Sequence, residues 1–241
     1  MAGLTVQPDQ QTLRLEVLPQ PNNTTCGPTC LHAVYRFYGE DLDLNQVIDE
    51  VTPLESGGTL AVFLACHALE RGYRATIYTY NLQLFDPSWF NGSATDVRVK
   101  LREQLDLKKG RRLATATRAY LRFFELGGRL RYEELNPALI RRHLKRGTPI
   151  LTGLSATYLY GCPRELNNEY DDVNGDPAGH FVVLCGYDPE TRLVRIGDPL
   201  HNNPRFRSQN YDVEIDRLIN SILLGIVTYD ANLLIIEQIE R

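Results

Sequence analysis

A cysteine at the predicted start of a helix is the residue of this sequence best suited to nucleophilic chemistry. Cys26 follows Thr24 and Thr25 and opens the run Cys-Gly-Pro-Thr-Cys-Leu. A hydroxyl residue that can cap a helix, followed by a proline in the first turn, is typical of a helix N-terminus. The free N–H groups and the dipole at that end favour an anion, so the thiol should ionise more readily than an exposed one. Because the thiolate is the reactive form of cysteine, we predict that Cys26 is a nucleophile.

A cysteine nucleophile needs a base, and His180 is the best candidate among the five histidines. Three of the others fall inside predicted helices: His32, His67 and His143. His180 instead begins an apolar β-run, and Asp198 ends the next predicted strand after a hairpin turn at residues 188–192. If these two strands pair, both side chains reach the same end of the sheet. There the carboxylate could orient the imidazole, as the third member of a catalytic triad does.

Other residues could stabilise an oxyanion or bind the substrate. The backbone N–H of Cys26 can supply one hydrogen-bond donor, and the side-chain amide of Gln20 can supply a second. Gly57 and Gly58 either line the cleft as a substrate-binding loop or simply lead into the third helix, and both interpretations stay open. The glycine directly before the candidate base, Gly179, is a further candidate for substrate binding.

A polar and acidic segment, residues 158–176, precedes the candidate base. Its carboxylates are Glu165, Glu169, Asp171, Asp172 and Asp176. Such a segment could be a lid or a selector for cationic substrates. A solvated loop is the more common case.

The periodicity of apolar residues changes along the chain. The first part is predicted to be mainly helical, with helices at 26–39, 43–51, 59–72, 96–107, 112–126 and 137–147 and one strand at 75–80. The second part has predicted strands at 149–154, 180–187, 193–196 and 233–239 and a helix at 216–224. This order predicts an α+β fold. We expect a single domain, residues 1–241, with a helical N-terminal lobe at about 18–147 and an antiparallel β-sheet lobe at about 148–241.

Composition excludes several classes of protein and site. The formal net charge of −4 argues against nucleic acid as the main partner. The sequence has no run of about 18 apolar residues and no secretory signal at its start, so a cytoplasmic protein without a membrane partner is expected. The five cysteines are scattered and form no C-x-x-C pair, which disfavours a disulfide framework or a metal site built from Cys26, Cys30 and a histidine. No cofactor is needed for chemistry of this kind.

Three blocks of the sequence together resemble the C39-like branch of the papain-like cysteine peptidases. They are Gln20-x5-Cys26-Gly-Pro-Thr-Cys-Leu, Gly179-His180-Phe-Val-Val-Leu and Gly197-Asp198-Pro199. The resemblance implies a papain-like fold and amide-bond cleavage. It also implies a role for each residue, with Cys26 as nucleophile, His180 as base and acid, Asp198 as orienting group and Gln20 as oxyanion donor. The best-known relatives are N-terminal domains of peptide-exporting transporters, whereas this chain has no transporter segment, so a stand-alone member is expected.

The sequence therefore predicts a cysteine peptidase or thiol amidase that acts on a peptide or small amide through an acyl-enzyme on Cys26. Two alternatives stay open. The acyl group could pass to an amine instead of water, which would make the protein an acyl transferase on the same fold. The protein could also be a non-catalytic module that binds peptides. The sequence does not indicate an oligomeric state.

Overall fold

The computed structural model describes residues 11–55, 57–91 and 96–239. Its α-helices are α1 (Cys26–Phe37), α2 (Leu44–Glu50), α3 (Ala61–Glu70), α4 (Val97–Leu107), α5 (Arg111–Glu125), α6 (Pro137–Leu144), α7 (Ala156–Tyr160) and α8 (Ile215–Leu224). Its strands are β1 (Gln11–Thr12), β2 (Arg74–Thr79), β3 (Arg129–Arg131), β4 (Ile150–Ser155), β5 (Glu165–Leu166), β6 (Glu169–Tyr170), β7 (Gly179–Asp188), β8 (Leu193–Gly197), β9 (Asn210–Glu214) and β10 (Asn232–Glu237). Short 3-10 helices lie at Pro87–Phe90 and Gly225–Thr228.

Local sequence signals account for the ends of several helices. Asp43 and Asn136 accept hydrogen bonds from backbone N–H groups of α2 and α6, as capping residues do. Pro137 occupies the first position of α6, where its missing N–H costs nothing. The turn after α1 contains Gly39 at φ +86°, a left-handed conformation that glycine adopts without strain.

One mixed sheet organises the molecule. Its strands follow the order β3-β2-β10-β4-β7-β8-β9. Strand β1 pairs with the C-terminal end of β7, at Gly186 and Tyr187. The pairings are antiparallel except for β2 with β3, which is parallel. The predicted α+β class, with a largely antiparallel sheet, is confirmed. The predicted helical segment 18–147 also contributes β2 and β3 to this same sheet, so the sheet extends across the predicted lobe boundary.

Each face of the sheet supports a hydrophobic core. Alternate residues of β7 point to opposite faces, so Phe181 and Val183 enter the core with α1, α3 and α5, while Val182 and Leu184 enter the core with α6, α7 and α8. These four side chains are at most 3% exposed. Burying each contributes roughly 1.5–3 kcal/mol, which fixes β7, and therefore the residue at its start, between two packed layers.

The elements that the sequence patterns did not predict are the short ones. Strands β3 and β9 and helix α7 lie in segments for which the sequence patterns predict no helix or strand, and β5 and β6 form a small hairpin inside the acidic segment 158–176. Strands of two or three residues and a helix of five residues are too short for periodicity to identify, and tertiary contacts decide them. Among the described residues, no helix combines the length and the apolar character that crossing a membrane requires.

Candidate active site

Cys26 is the first residue of α1 and is 8% exposed. Thr25 is the N-cap residue, but the predicted hydroxyl cap is wrong, because the Thr25 hydroxyl donates to the carbonyl oxygen of Asn22 instead of accepting from the helix. The side chain of the N-cap residue therefore leaves the N–H groups at this end of α1 uncapped. They remain free to face an anion close to the thiol.

His180 and Asp198 form a buried pair at one end of the sheet. His180 is the second residue of β7, and Asp198 directly follows β8, the strand that pairs with β7. The Nε2 atom of His180 lies 2.8 Å from Oδ1 of Asp198. His180 is 5% exposed and Asp198 is fully buried. The structure thus brings together the two side chains that the hairpin prediction placed at the same end of the sheet.

The Cys26 thiol is near enough to His180 to contribute to the pKa of its imidazole. Because Nε2 of His180 is bonded to Asp198, the other ring nitrogen, Nδ1, is the one left for a second partner. Burial alone would lower the pKa of His180, but the charge and hydrogen bond of Asp198, together with those of Cys26, outweigh it and raise this pKa to about 10. The site therefore favours an imidazolium that is paired with the carboxylate of Asp198.

Asp198 accepts hydrogen bonds from three donors besides His180. The hydroxyls of Tyr160 and Tyr211 donate to Oδ2 over 2.8 and 2.6 Å, and the N–H of Leu200 donates to Oδ1 over 2.8 Å. Burial works to raise the pKa of Asp198, but the charge and the hydrogen bond of His180, together with the hydrogen bonds from Tyr211 and Leu200, hold it below its ordinary value. The carboxylate is therefore kept ionised although it is shielded from water.

Sequence reasoning missed both tyrosines. Tyr211 lies on β9, where residues 210–214 alternate between exposed and buried, and this alternation was a usable signal for a strand. Tyr160 ends α7, whose N-cap Ser155 accepts from the N–H of Tyr158. Nothing local indicates that either hydroxyl points to Asp198, because both contacts are made across the fold.

Gln20 is brought to the site by the loop before α1. Its backbone N–H donates to the carbonyl oxygen of Pro199 over 2.9 Å, which ties this loop to the residue after Asp198. Its side-chain Nε2 donates one hydrogen to the carbonyl oxygen of Asn22 over 2.9 Å. Since an amide nitrogen carries two hydrogens, one remains for a substrate oxygen. Gln20 and His180 line the same cavity.

The three candidate glycines for substrate binding lie in two places. Gly57 and Gly58 have φ angles of +85° and +74°, and a Cβ at Gly57 would lie 3.0 Å from Thr24 in the loop before Cys26. Gly179 lines the same cavity as Gln20, and a Cβ there would lie 2.8 Å from the hydroxyl oxygen of Thr228. Both positions are next to the loops that carry the candidate catalytic residues.

The other cysteines and histidines considered for a metal site have partners of their own. The Cys30 thiol donates to the carbonyl oxygen of Phe181 over 3.3 Å, and burial, followed by the charges of Cys26 and Asp198, raises its pKa well above normal. His32 bonds the carbonyl oxygen of Leu42, and His67 bonds Tyr35 and Glu50. Within the described ranges, no group of three or more potential ligands could hold a metal ion.

Comparison with known proteins connects this geometry to a family. Residues 128–218 match the sequence profile of the Peptidase_C39 like family. This segment contains His180, Asp198, Tyr160 and Tyr211, whereas Cys26 lies outside it. The resemblance to C39-like peptidases that the sequence motifs indicated is confirmed over this segment. No curated protein sequence is significantly similar to the chain.

Several solved structures of peptidases are similar to this chain. A Bacillus anthracis protein described as a C39-like peptidase is 14% identical, with a TM-score of 0.49, and the alignment covers 97% of this chain and 100% of that one. A double-glycine-motif protease of an AMS/PCAT transporter, solved with its leader peptide, is 14% identical, with a TM-score of 0.45 and coverage of 96% and 99%. Xylellain, a cysteine protease from Xylella fastidiosa, is 15% identical, with a TM-score of 0.44 and coverage of 97% and 87%.

Proposed function

Because residues 128–218 belong to a segment similar to C39-like peptidases and contain the buried His180–Asp198 pair, we propose that this protein is a cysteine peptidase or thiol amidase with Cys26 as its nucleophile. The observation that carries the proposal is the buried His180–Asp198 hydrogen bond of 2.8 Å, whose imidazole interacts electrostatically with the thiol of Cys26 at the first residue of α1. A thiol, an imidazole and a carboxylate in this order are the groups that acyl transfer requires.

The reaction follows from the positions of these groups. The Cys26 thiolate attacks the carbonyl carbon of an amide, and the resulting oxyanion accepts hydrogen bonds from the Cys26 N–H and the free amide hydrogen of Gln20. His180 donates its proton to the leaving amine, which departs and leaves an acyl-enzyme. His180 then takes a proton from water, which attacks the acyl group and releases the acid and the thiolate.

Asp198 keeps the imidazole of His180 oriented and stabilises its charge. Four hydrogen bonds, including those from Tyr160 and Tyr211, hold this carboxylate in one position. Gly57, Gly58 and Gly179 are proposed to border the path of the substrate. A cytoplasmic location stays a prediction from the sequence.

The proposal is tested by the rate at which iodoacetamide alkylates Cys26 as a function of pH, followed by mass analysis of the Cys26 peptide. An ordinary thiol with a pKa of about 8.5 is only about 0.3% ionised at pH 6. We expect Cys26 to stay reactive at pH 6 in the wild type and to lose roughly two orders of magnitude of this rate in His180→Ala.

A matched control is His143→Ala, which removes another buried histidine, one bonded to Tyr78. This variant should retain the acidic reactivity of Cys26. The proposal is wrong if Cys26 shows an ordinary thiol profile that His180→Ala does not change. That result would favour the non-catalytic peptide-binding alternative. If Cys26 is activated, product analysis with an added amine separates hydrolysis from acyl transfer.

A further inference from the structure

A cavity of about 280 Å³ opens beside the proposed catalytic pair. Gln20, Gly179 and His180 form part of its wall, so it adjoins the atoms at which the proposed reaction takes place. Tyr160, which donates to Asp198, lines it as well. Ligand pockets start at roughly 300 Å³, so a cavity of this size suits a single side chain of a substrate.

The wall of this cavity carries one carboxylate, that of Glu165, among the described residues that line it. Several side-chain amides lie around it: Gln20, Asn23, Asn168 and Asn202. His180 contributes a positive charge to the wall, but the ionised carboxylate of Asp198, 2.8 Å away, balances that charge. The polar groups of the cavity therefore consist mainly of a carboxylate and amides, which offer hydrogen-bond acceptors to a cation.

The charge of Glu165 is not neutralised within the described part of the chain. None of the salt bridges formed there involves Glu165. The neighbouring guanidinium of Arg164 donates instead to the carbonyl oxygens of Asp172 and Val173, over 2.6 and 3.1 Å. A half-buried carboxylate without a cationic partner attracts a cation from solution or from a substrate.

The segment that carries Glu165 is held by its own hydrogen bonds. Glu165 lies on β5, which pairs with β6, and its backbone exchanges two hydrogen bonds with Asp176, of 3.0 and 2.9 Å. Gly175 lets this segment close, because a Cβ there would clash with the carbonyl oxygen of Asp171 and would lie 2.7 Å from the nitrogen of Glu165. The acidic segment is thus an organised wall of the cavity.

We infer that this cavity binds a cationic group of the substrate, such as a lysine or arginine side chain next to the scissile amide, through the carboxylate of Glu165. The inference rests on the proposed function, since it assigns the cavity to the same reaction. It also gives the acidic segment the selecting role that the sequence had left open.

Charged thiol reagents test this inference without knowledge of the natural substrate. Cys26 is treated with 2-(trimethylammonium)ethyl methanethiosulfonate and with 2-sulfonatoethyl methanethiosulfonate. In each reaction the thiolate attacks the sulfenyl sulfur, forms a mixed disulfide and releases methanesulfinate. The ratio of the cationic to the anionic rate cancels the intrinsic reactivity of the thiol. We expect Glu165→Gln to lower this ratio about tenfold at low ionic strength, and expect salt to reduce the effect.

The matched control is Glu169→Gln on the paired strand β6, because Glu169 is exposed and is not part of the cavity wall. This variant should change the ratio less than about twofold, since an exposed charge is screened by water. An unchanged ratio in Glu165→Gln, or equal changes in both variants, overturns the inference. Failure of Cys26 to react with the uncharged methyl methanethiosulfonate would instead refute the proposed function, and this inference with it.

Discussion

The hydroxyl of Tyr211 should stabilise the folded protein through the ionised carboxylate of Asp198. It donates over 2.6 Å to Oδ2 of Asp198, and both residues are buried. Tyr211→Phe removes this donor and keeps the ring, which stacks on Phe206 with 3.8 Å between centroids and an angle of 5°. A hydrogen bond to a charged group contributes about 1.5–3 kcal/mol, so we expect the free energy of unfolding to fall by about 2 kcal/mol at pH 7.

Urea unfolding at pH 5 to 7 measures this loss. With a slope of about 2–3 kcal/mol/M, the midpoint should fall by somewhat less than about 1 M, with an unchanged slope. The folded-state pKa of Asp198 lies below its ordinary value, so its charge contributes stability above the unfolded-state pKa of about 3.9 and loses it as the pH falls through the folded pKa. The difference between wild type and variant should therefore be constant from pH 5 to 7.

Two further variants make this experiment decisive. Tyr160→Phe removes the other hydroxyl that donates to Oδ2 of Asp198, and the double variant Tyr160→Phe/Tyr211→Phe should show that the two losses are not additive, because the hydroxyls share one acceptor atom. Tyr158→Phe serves as the control, since its side chain is 38% exposed. If Tyr211→Phe destabilises the protein no more than Tyr158→Phe does, the reasoning is refuted.

Two other substitutions test the close packing at Gly27 and the titration of the buried Asp230. Gly27→Ala should lower the free energy of unfolding by about 1–3 kcal/mol, because the new Cβ would lie 2.6 Å from Cγ2 of Thr59. Gly110→Ala is the control, because its new Cβ would have its nearest contact at 3.7 Å and should not lower the free energy of unfolding. Urea unfolding of both variants measures the difference. Burial raises the pKa of Asp230 to about 8, so its folded state binds a proton that the unfolded state releases, and stability is lost as pH rises from about 4 to 8. Asp230→Asn should remove this loss, so the variant should be more stable than the wild type by a margin that grows up to about pH 8. Urea unfolding over this pH range measures the margin. A margin that shrinks as the pH rises would contradict the raised pKa of Asp230.

Local patterns were sufficient to predict the elements that carry the proposed site. The proline in its first turn and the apolar spacing of residues 31–38 indicate α1, and the apolar runs on either side of residues 188–192 indicate the hairpin of β7 and β8. A hairpin brings the start of its first strand and the end of its second strand together, so the proximity of His180 and Asp198 follows from chain geometry alone. These signals are local, which is why one sequence is enough to read them.

Tertiary packing decides what the local patterns leave open. The packing of α1 against β7 brings Cys26 to the end of the sheet that carries His180, and these two residues are far apart in the sequence. The hydroxyls of Tyr160 and Tyr211 reach Asp198 across the fold, and no local pattern indicates these contacts. Glu165 lines the cavity and Glu169 does not, and this difference arises from the pairing of β5 with β6, which local sequence does not reveal. The sequence by itself determined which groups could react, and long-range packing, whose contacts leave no periodic trace in the chain, determined which of them meet and in what electrostatic surroundings.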